Sequence, residues 1–277
     1  MPASNPAPWS SSFRLVAAER WKAKSAAMGG AVTEAFVEYA CPLPEMRVLD
    51  LASGTGEPGI SLAQRVGPRG SVTAVDQSSE LLDIAAERAR NKKLLNLTTQ
   101  QADAHHLPFE DRSFDLATCR FGVMFFSDTA RALAELRRVL KPGARACFAA
   151  WGPIEQPYWQ TTMKIVHRHV GEAMLPPGGA DPFRFSAAGS LVEALRSAGF
   201  HEAEESLRNL PWTWPGDADE VFEYACAVSA PFRSMLERVR EEDWPAVRAE
   251  AKAAIDRYRV GDEIRFGADV VLASGKA

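Results

Sequence analysis

The amino-acid sequence predicts a doubly wound α/β fold, a mostly parallel sheet covered by helices on both faces. Three observations lead there. Between Arg47 and Trp151 short β-rich runs alternate with helical ones, and repeated strand-helix units of this kind build parallel sheets. The first strand run opens into Gly54-Thr55-Gly56-Glu57-Pro58-Gly59, a glycine spacing that suits a tight turn from strand into helix. Acidic residues then stand at the ends of three successive strand runs: Asp50, Asp76 and Asp103.

Each element follows from local signals. The expected strands are Val48 to Ala52, Ser71 to Val75, Leu97 to Ala102, Phe114 to Cys119 and Ala144 to Trp151. A helix from Pro58 to Arg65 begins where proline's missing N–H costs little and stops at Gly67. Leu81 to Arg90 follows two serines able to cap it. Asp128 caps the next helix, whose Leu133, Leu136 and Leu140 repeat at i, i+3 and i+7, and Pro142-Gly143 ends it.

Beyond Trp151 the rhythm changes. The pattern predicts a helix over Tyr158 to Val170, a turn-rich stretch from Leu175 to Phe183, and a helix carrying Leu191 and Leu195 that stops at Gly199. A sixth strand is expected from Ala203 to Leu210. A helical stretch from Asp217 to Arg257 is broken by Pro231 and Pro245, and a last strand runs from Ile264 to Ala273. The expected organisation is an N-terminal helical arm over 1–46, a ligand-binding core over 47–153, and 154–277 as cap segments that complete the same domain.

Composition excludes several partner classes. The 277 residues carry a net charge of -4, from 32 basic and 36 acidic side chains, which supplies no global field to attract nucleic acid or an anionic bilayer. Cys41, Cys119, Cys147 and Cys226 are widely spaced, form no C-x-x-C pair, and read as buried free thiols of a reducing cytoplasm. The early prolines and scattered charges of the first residues offer no signal-peptide pattern, and no apolar run reaches spanning length. The chain is therefore expected to be soluble and cytoplasmic, with no integral membrane contact. No metal site is expected.

The surroundings of the glycine turn select its ligand. In nucleotide-redox proteins such a turn receives a pyrophosphate at a helix N-terminus. Asp50 lies four positions before Gly54, where a carboxylate repels phosphates and suits a ligand with an ammonium. Asp76, twenty-two residues past Gly54, is placed to accept from ribose hydroxyls, and Asp103 from an exocyclic adenine amine. The pattern favours S-adenosylmethionine over a nicotinamide dinucleotide.

The ordered stretches "VLDLASGTGEPGISLAQ", "VTAVDQSSELLDIAAERA", "QADAHHLPFEDRSFDLATCRFGVMFF" and "ALAELRRVLKPGARACFAAWGP" resemble class I S-adenosylmethionine-dependent methyltransferases, in the branch of the ubiquinone and menaquinone C-methyltransferases. The resemblance covers roughly Val48 to Pro153. It implies a Rossmann-like sheet of seven strands with the last antiparallel. It implies that Gly54 and Gly56 admit the methionine portion, with Asp50, Ala52 and Ser53 lining that turn, and Ala52 and Ser53 depart from the glycine and small residues common there. It implies further that Asp76 and Gln77 lie at the ribose, Asp103 and Ala104 at the adenine, and Arg120 and Phe121 beside the amino-acid moiety. Trp21 is the candidate aromatic cover from the N-terminal arm.

Methyl transfer gains from alignment and exclusion of water, and many acceptors must also lose a proton. The candidate bases are His106, His167 and His169. Trp212 and Trp214 share one face of an extended segment, as an aromatic acceptor pocket or as core. The fourth strand is followed by "RFGVMFF" rather than the signature of amino-methylating DNA enzymes, so the expected acceptor is a small molecule, apolar or aromatic. The competing functions are an NAD(P)-dependent oxidoreductase and a non-catalytic nucleoside-binding protein.

Overall fold

Val48, Leu49 and Leu51 are buried in the first strand with no room for water on either face, the mark of a strand in the middle of a helix-covered sheet. The computed structural model describes residues 20–277. In chain order its elements begin with helices α1 (Lys22–Met28) and α2 (Gly30–Ala40), followed by β1 (Arg47–Leu51), α3 (Gly59–Val66), β2 (Ser71–Asp76), α4 (Ser79–Asn91), β3 (Leu97–Gln101), β4 (Phe114–Arg120), α5 (Thr129–Val139) and β5 (Leu140–Trp151). The later part contains α6 (Pro157–Thr161), α7 (Met163–Val170), α8 (Ser190–Ser197), β6 (His201–Trp214), α9 (Ala218–Val228), α10 (Arg233–Leu236), α11 (Trp244–Asp256), β7 (Arg259–Val260) and β8 (Glu263–Lys276).

The strands form one sheet in the order β3-β2-β1-β4-β5-β8-β6, with β7 paired to β8 off that path. The first five strands in this order are mutually parallel, with Val48 opposite Val72 on one side and Leu116 on the other. Strand β8 runs antiparallel to β5, from Arg145 opposite Lys276 to Trp151 opposite Val270. The expected doubly wound architecture is thus present. Its sheet has eight strands rather than seven, because the two-residue β7 folds back on β8 through Gly261 at φ 65°.

Local signals explain most boundaries. Ser78 caps α4 by accepting from the Leu81 N–H at 3.2 Å, and Asp128 caps α5 through the Arg131 N–H at 3.0 Å. Helix α3 buries Ile60, Leu62, Ala63 and Val66, and α5 buries Ala132, Leu133, Leu136 and Val139. Each large side chain so buried is worth about 1.5–3 kcal/mol of transfer free energy.

Five expectations need correction. Leu140 does not extend α5: it starts β5 opposite Phe114, and Pro142-Gly143 lies within that strand, where the register shifts. The helix expected over Tyr158 to Val170 is broken at Thr162, whose hydroxyl donates to the Tyr158 carbonyl at 2.6 Å and so competes with the helical ladder. Strand β6 continues past Pro211 to Trp214. Pro245 opens α11 instead of breaking a helix. Cys41 is exposed at φ 52°, unlike the three buried thiols.

The chain divides into two compact units. One comprises residues 33–152, 182–208 and 270–277 and contains the glycine turn. The other comprises residues up to Val32 with 153–181 and 209–269. In the second, Val247, Ala251 and Ile255 form the buried stripe of α11, and Tyr158 packs edge-on against Trp159, Trp212 and Phe266 at centroid distances of 4.9, 6.1 and 5.9 Å.

Candidate cofactor site

The turn after β1 is built from left-handed residues. Ala52, Gly54 and Gly56 have φ of 54°, 53° and 105°. Gly56 is required twice over, since a Cβ there would also lie 3.0 Å from Ile60 Cδ1 and 3.1 Å from Ala85 Cβ. At Gly54 the same atom would meet nothing within 4 Å, so the turn leaves open space on that side. Arg88 of α4 holds the loop by donating to the Thr55 carbonyl at 2.5 Å and to Glu57 Oε1 at 3.2 Å.

Asp50 sits beneath this turn, fully buried. Its Oδ2 accepts from the Gly59 N–H at 2.9 Å and its Oδ1 from the Thr118 hydroxyl at 2.8 Å. Burial pushes its carboxyl up to about 7, against the lowering influence of those two hydrogen bonds and of Arg120. Both oxygens are therefore engaged inside the protein, tying β1 and β4 to the N-terminus of α3.

The next two acids stand at the ends of β2 and β3. Asp76 is half-buried, its Oδ2 accepting from Gly54 N at 2.9 Å and its Oδ1 from Ser78 N at 3.0 Å. It fixes the glycine turn while leaving lone pairs for a ligand. Gln77 is exposed beside it, and its carbonyl accepts from Gln101 Nε2 at 2.8 Å. Asp103 is exposed, and the His105 backbone N–H, reinforced by the His105 ring, holds its carboxyl below the usual range. Ala104 is buried behind it.

After β4, Arg120 Nε donates to the Glu57 carbonyl at 3.4 Å and Phe121 adopts φ 58°. The Phe121 ring stacks on Trp151 with centroids 4.4 Å apart and planes 15° apart. Gly122 then passes the turn so closely that a Cβ on it would lie 2.4 Å from Ala52 Cβ and 2.9 Å from Cys119 Sγ. The methyl of Ala52 is thus accommodated by a bare backbone opposite. Gly122→Ala is expected to cost about 1–3 kcal/mol by overpacking. Adding Ala52→Gly should recover part of the loss in denaturant unfolding, and no recovery would show that the two positions are uncoupled.

Residues 48–143 match the family described as a methyltransferase domain. The ubiquinone/menaquinone biosynthesis C-methyltransferase of Ralstonia nicotianae is 30% identical over 198 residues, covering 70% of this chain and 76% of that protein. The chain belongs to the S-adenosylmethionine-dependent methyltransferases. The demethylmenaquinone methyltransferase of Deinococcus radiodurans is 31% identical over 182 residues, 62% of this chain and 75% of the relative. A crystal structure of a putative methyltransferase from Bacillus halodurans shares the fold, with a TM-score of 0.58 at 19% identity, covering 88% of this chain and 97% of the other.

The protein is accordingly an enzyme that transfers a methyl group from S-adenosylmethionine to a small molecule, and the oxidoreductase and non-catalytic readings are set aside. The turn fits that cofactor on its own chemistry. The Ser53 hydroxyl is buried in the turn without a hydrogen-bond partner among the described residues, a buried polar atom that a polar ligand would satisfy. No phosphate-binding lysine or arginine from the turn itself stands beside it.

Several expected residues are already occupied. The Arg131 guanidinium lies against the ring nitrogens of His106. In the other unit His169 Nε2 pairs with Glu250 Oε2 at 2.7 Å, whereas the half-buried His167 ring makes no hydrogen bond among the described residues. Trp21 is buried, its ring edge-on to Tyr224 at 6.1 Å and covered by Arg20. Sequence reasoning did not single out Arg88, Thr118 or Gly122. Thr118 left a signal, being a polar residue in the apolar run of β4 and directly opposite Asp50 in register. Arg88 left none, since an arginine late in an amphipathic helix reads as solvated.

Proposed function

We propose that the methionine portion of S-adenosylmethionine lies along Gly54 and Gly56 with Ala52 and Ser53, that Asp76 and Gln77 receive the ribose, and that Asp103 and Ala104 receive the adenine. The backbone at Arg120 and Phe121 borders the amino-acid end. The observation that carries this reading is Asp76, which closes β2 and holds the Gly54 N–H, so one carboxylate both shapes the turn and faces a polyol. Asp50 acts from beneath by fixing the turn. Trp21, packed on Tyr224, is read as a core anchor.

The bound cofactor supplies an electrophilic methyl group on a sulfonium. The chain orients it and excludes water, because the glycine turn and the stack of half-buried Phe121 on buried Trp151 fix the adjoining walls. We read the acceptor as a small apolar or aromatic molecule, in line with the quinone-pathway names of the relatives and with the aromatic cluster around Tyr158. Residues 154–277 are proposed to serve as acceptor cap as well as sheet completion. The candidate proton acceptors are His106, His167 and His169, of which the His167 ring makes no hydrogen bond among the described residues. A cytoplasmic enzyme is supported by three buried free thiols and by the lack, among the described residues, of a helix long and apolar enough to cross a membrane. Nucleic acid is not proposed as a partner.

Calorimetry tests the cofactor reading. S-adenosylmethionine and its demethylated product should bind at micromolar strength, about -8 kcal/mol, with no comparable binding of NAD or NADP. Asp76→Ala should weaken that binding by about 1.5–3 kcal/mol through loss of hydrogen bonds to a charged acceptor. An unchanged dissociation constant in the folded variant would refute the ribose assignment.

A further inference from the structure

The residue that follows Ala104 is held more tightly than a surface histidine needs to be. His105 donates its backbone N–H to Asp103 Oδ1 at 3.0 Å, and its ring Nδ1 lies 2.5 Å from the same oxygen. On the other side of the ring, Nε2 faces the backbone N–H of Asp128 at 3.2 Å, with the Ser127 hydroxyl at 3.4 Å. A backbone N–H can only donate, so Nε2 must carry the lone pair and the proton must sit on Nδ1, directed at the carboxylate. The ring is further seated edge-on to Phe126 at 6.2 Å, and Arg131 Nε donates to the His105 carbonyl at 3.2 Å.

Two consequences follow for Asp103. Its side chain is 49% exposed against 12% for His105; the Gln77 side chain also hydrogen-bonds it, but His105 brings two donors to one oxygen and so limits rotation among its staggered positions. With Oδ1 committed to His105, a ligand N–H must be taken by Oδ2, in a plane set by the histidine. The histidine is itself fixed by Asp128, the residue that caps α5.

We propose that His105 is a positioning residue for the nucleobase: it holds the Asp103 carboxylate as a pure acceptor and so makes the site select a base with an exocyclic amine over one with a carbonyl at that place. This rests on the proposed placement of adenine at Asp103. The same contacts leave His105 unsuited to take a proton from an acceptor, since its lone pair is occupied by the Asp128 N–H and its proton is directed at Asp103.

The test compares S-adenosylhomocysteine with S-inosylhomocysteine, in which the exocyclic amine is replaced by a carbonyl and N1 gains a proton, by calorimetry on the full chain. Wild-type protein should prefer the adenosyl compound. Asp103→Ala should abolish most of this preference, and His105→Ala should lower it about tenfold, as expected for one misplaced hydrogen bond to a charged acceptor. His105→Asn, whose amide nitrogen can replace Nδ1, should restore most of it. If Asp103→Ala leaves the preference intact, the adenine assignment itself fails. If Asp103→Ala abolishes it while His105→Ala does not change it, or weakens both compounds equally, positioning by His105 is overturned. Ring nitrogen NMR of the unmutated protein adds a check that needs no variant: a protonated Nε2 with a bare Nδ1 would overturn the proposal.

Discussion

The stability advantage of the wild-type protein over Asp50→Asn is expected to decline by about 4 kcal/mol as the pH rises from about 4 to about 7, and to stay level above that. The carboxyl titrates near 3.8 when unfolded and is pushed up to about 7 in the fold by complete burial. Between those values the folded chain keeps a proton that the unfolded chain has released. The unfolded state is therefore increasingly favoured as pH rises, and the contribution of the neutral acid is full only below the unfolded value. Using the asparagine variant as reference removes the opposite trend of carboxylates such as Asp115 and Glu135, whose partners Lys141 and Arg138 hold them low. Denaturant unfolding of both proteins at several pH values measures the difference. An advantage that grew with pH across this window would show that Asp50 folds as the carboxylate. On the proposed placement, a cationic cofactor beside the turn favours the ionised form, so binding near pH 6.5 should release a proton and make the binding enthalpy depend on the buffer.

The parallel half of the sheet was legible because each of its signals is local. A cap such as Ser78 or Asp128 sits within three residues of the N–H it serves, and the acids closing β1, β2 and β3 mark one edge by their position alone. The errors fall where a contact across the sheet or a single side-chain hydrogen bond decides. Leu140 continues the helical repeat of α5 but is claimed by Phe114 across the sheet. Pro211 was an apparent end to β6, yet that strand lies at the edge of the sheet order, where a missing N–H costs little. Thr162 breaks a helix through one side-chain hydrogen bond that its neighbours in sequence do not announce. The same division holds for the site. Asp76 and Asp103 could be placed from spacing, whereas Thr118, Arg88 and Gly122 act through partners 68, 33 and 70 positions away. The position of Asp50 just before the turn is legible in the sequence, but that its two oxygens face Gly59 and Thr118 follows only from the pairing of β1 with β4.

Trp214→Ala is expected to destabilise the protein by about 3–5 kcal/mol, the range for deleting a buried indole. In sequence Trp212 and Trp214 look equivalent, two apart and on one face of a strand, and the structure separates them. Trp214 is fully buried, donates from Nε1 to Glu220 Oε2 at 3.2 Å and packs on Tyr224 with centroids 4.9 Å apart. Lys24 also binds Glu220, so the buried indole closes a small, partly exposed network that joins β6 to α1 and α9. Removing it leaves a cavity as well as a carboxylate short of one donor. Trp214→Phe, which keeps the contact with Tyr224 and loses only the N–H and part of the volume, should cost about 1–2 kcal/mol. Trp212 instead sits in the cluster with Tyr158, 8% exposed, and is the member of the pair that we propose for the acceptor. Denaturant unfolding separates the roles when set beside the affinity for S-adenosylhomocysteine. Trp214→Ala should shift the unfolding midpoint sharply while the folded variant keeps its cofactor affinity. A Trp214→Ala protein as stable as wild type, with impaired turnover, would move Trp214 from the core to the acceptor site.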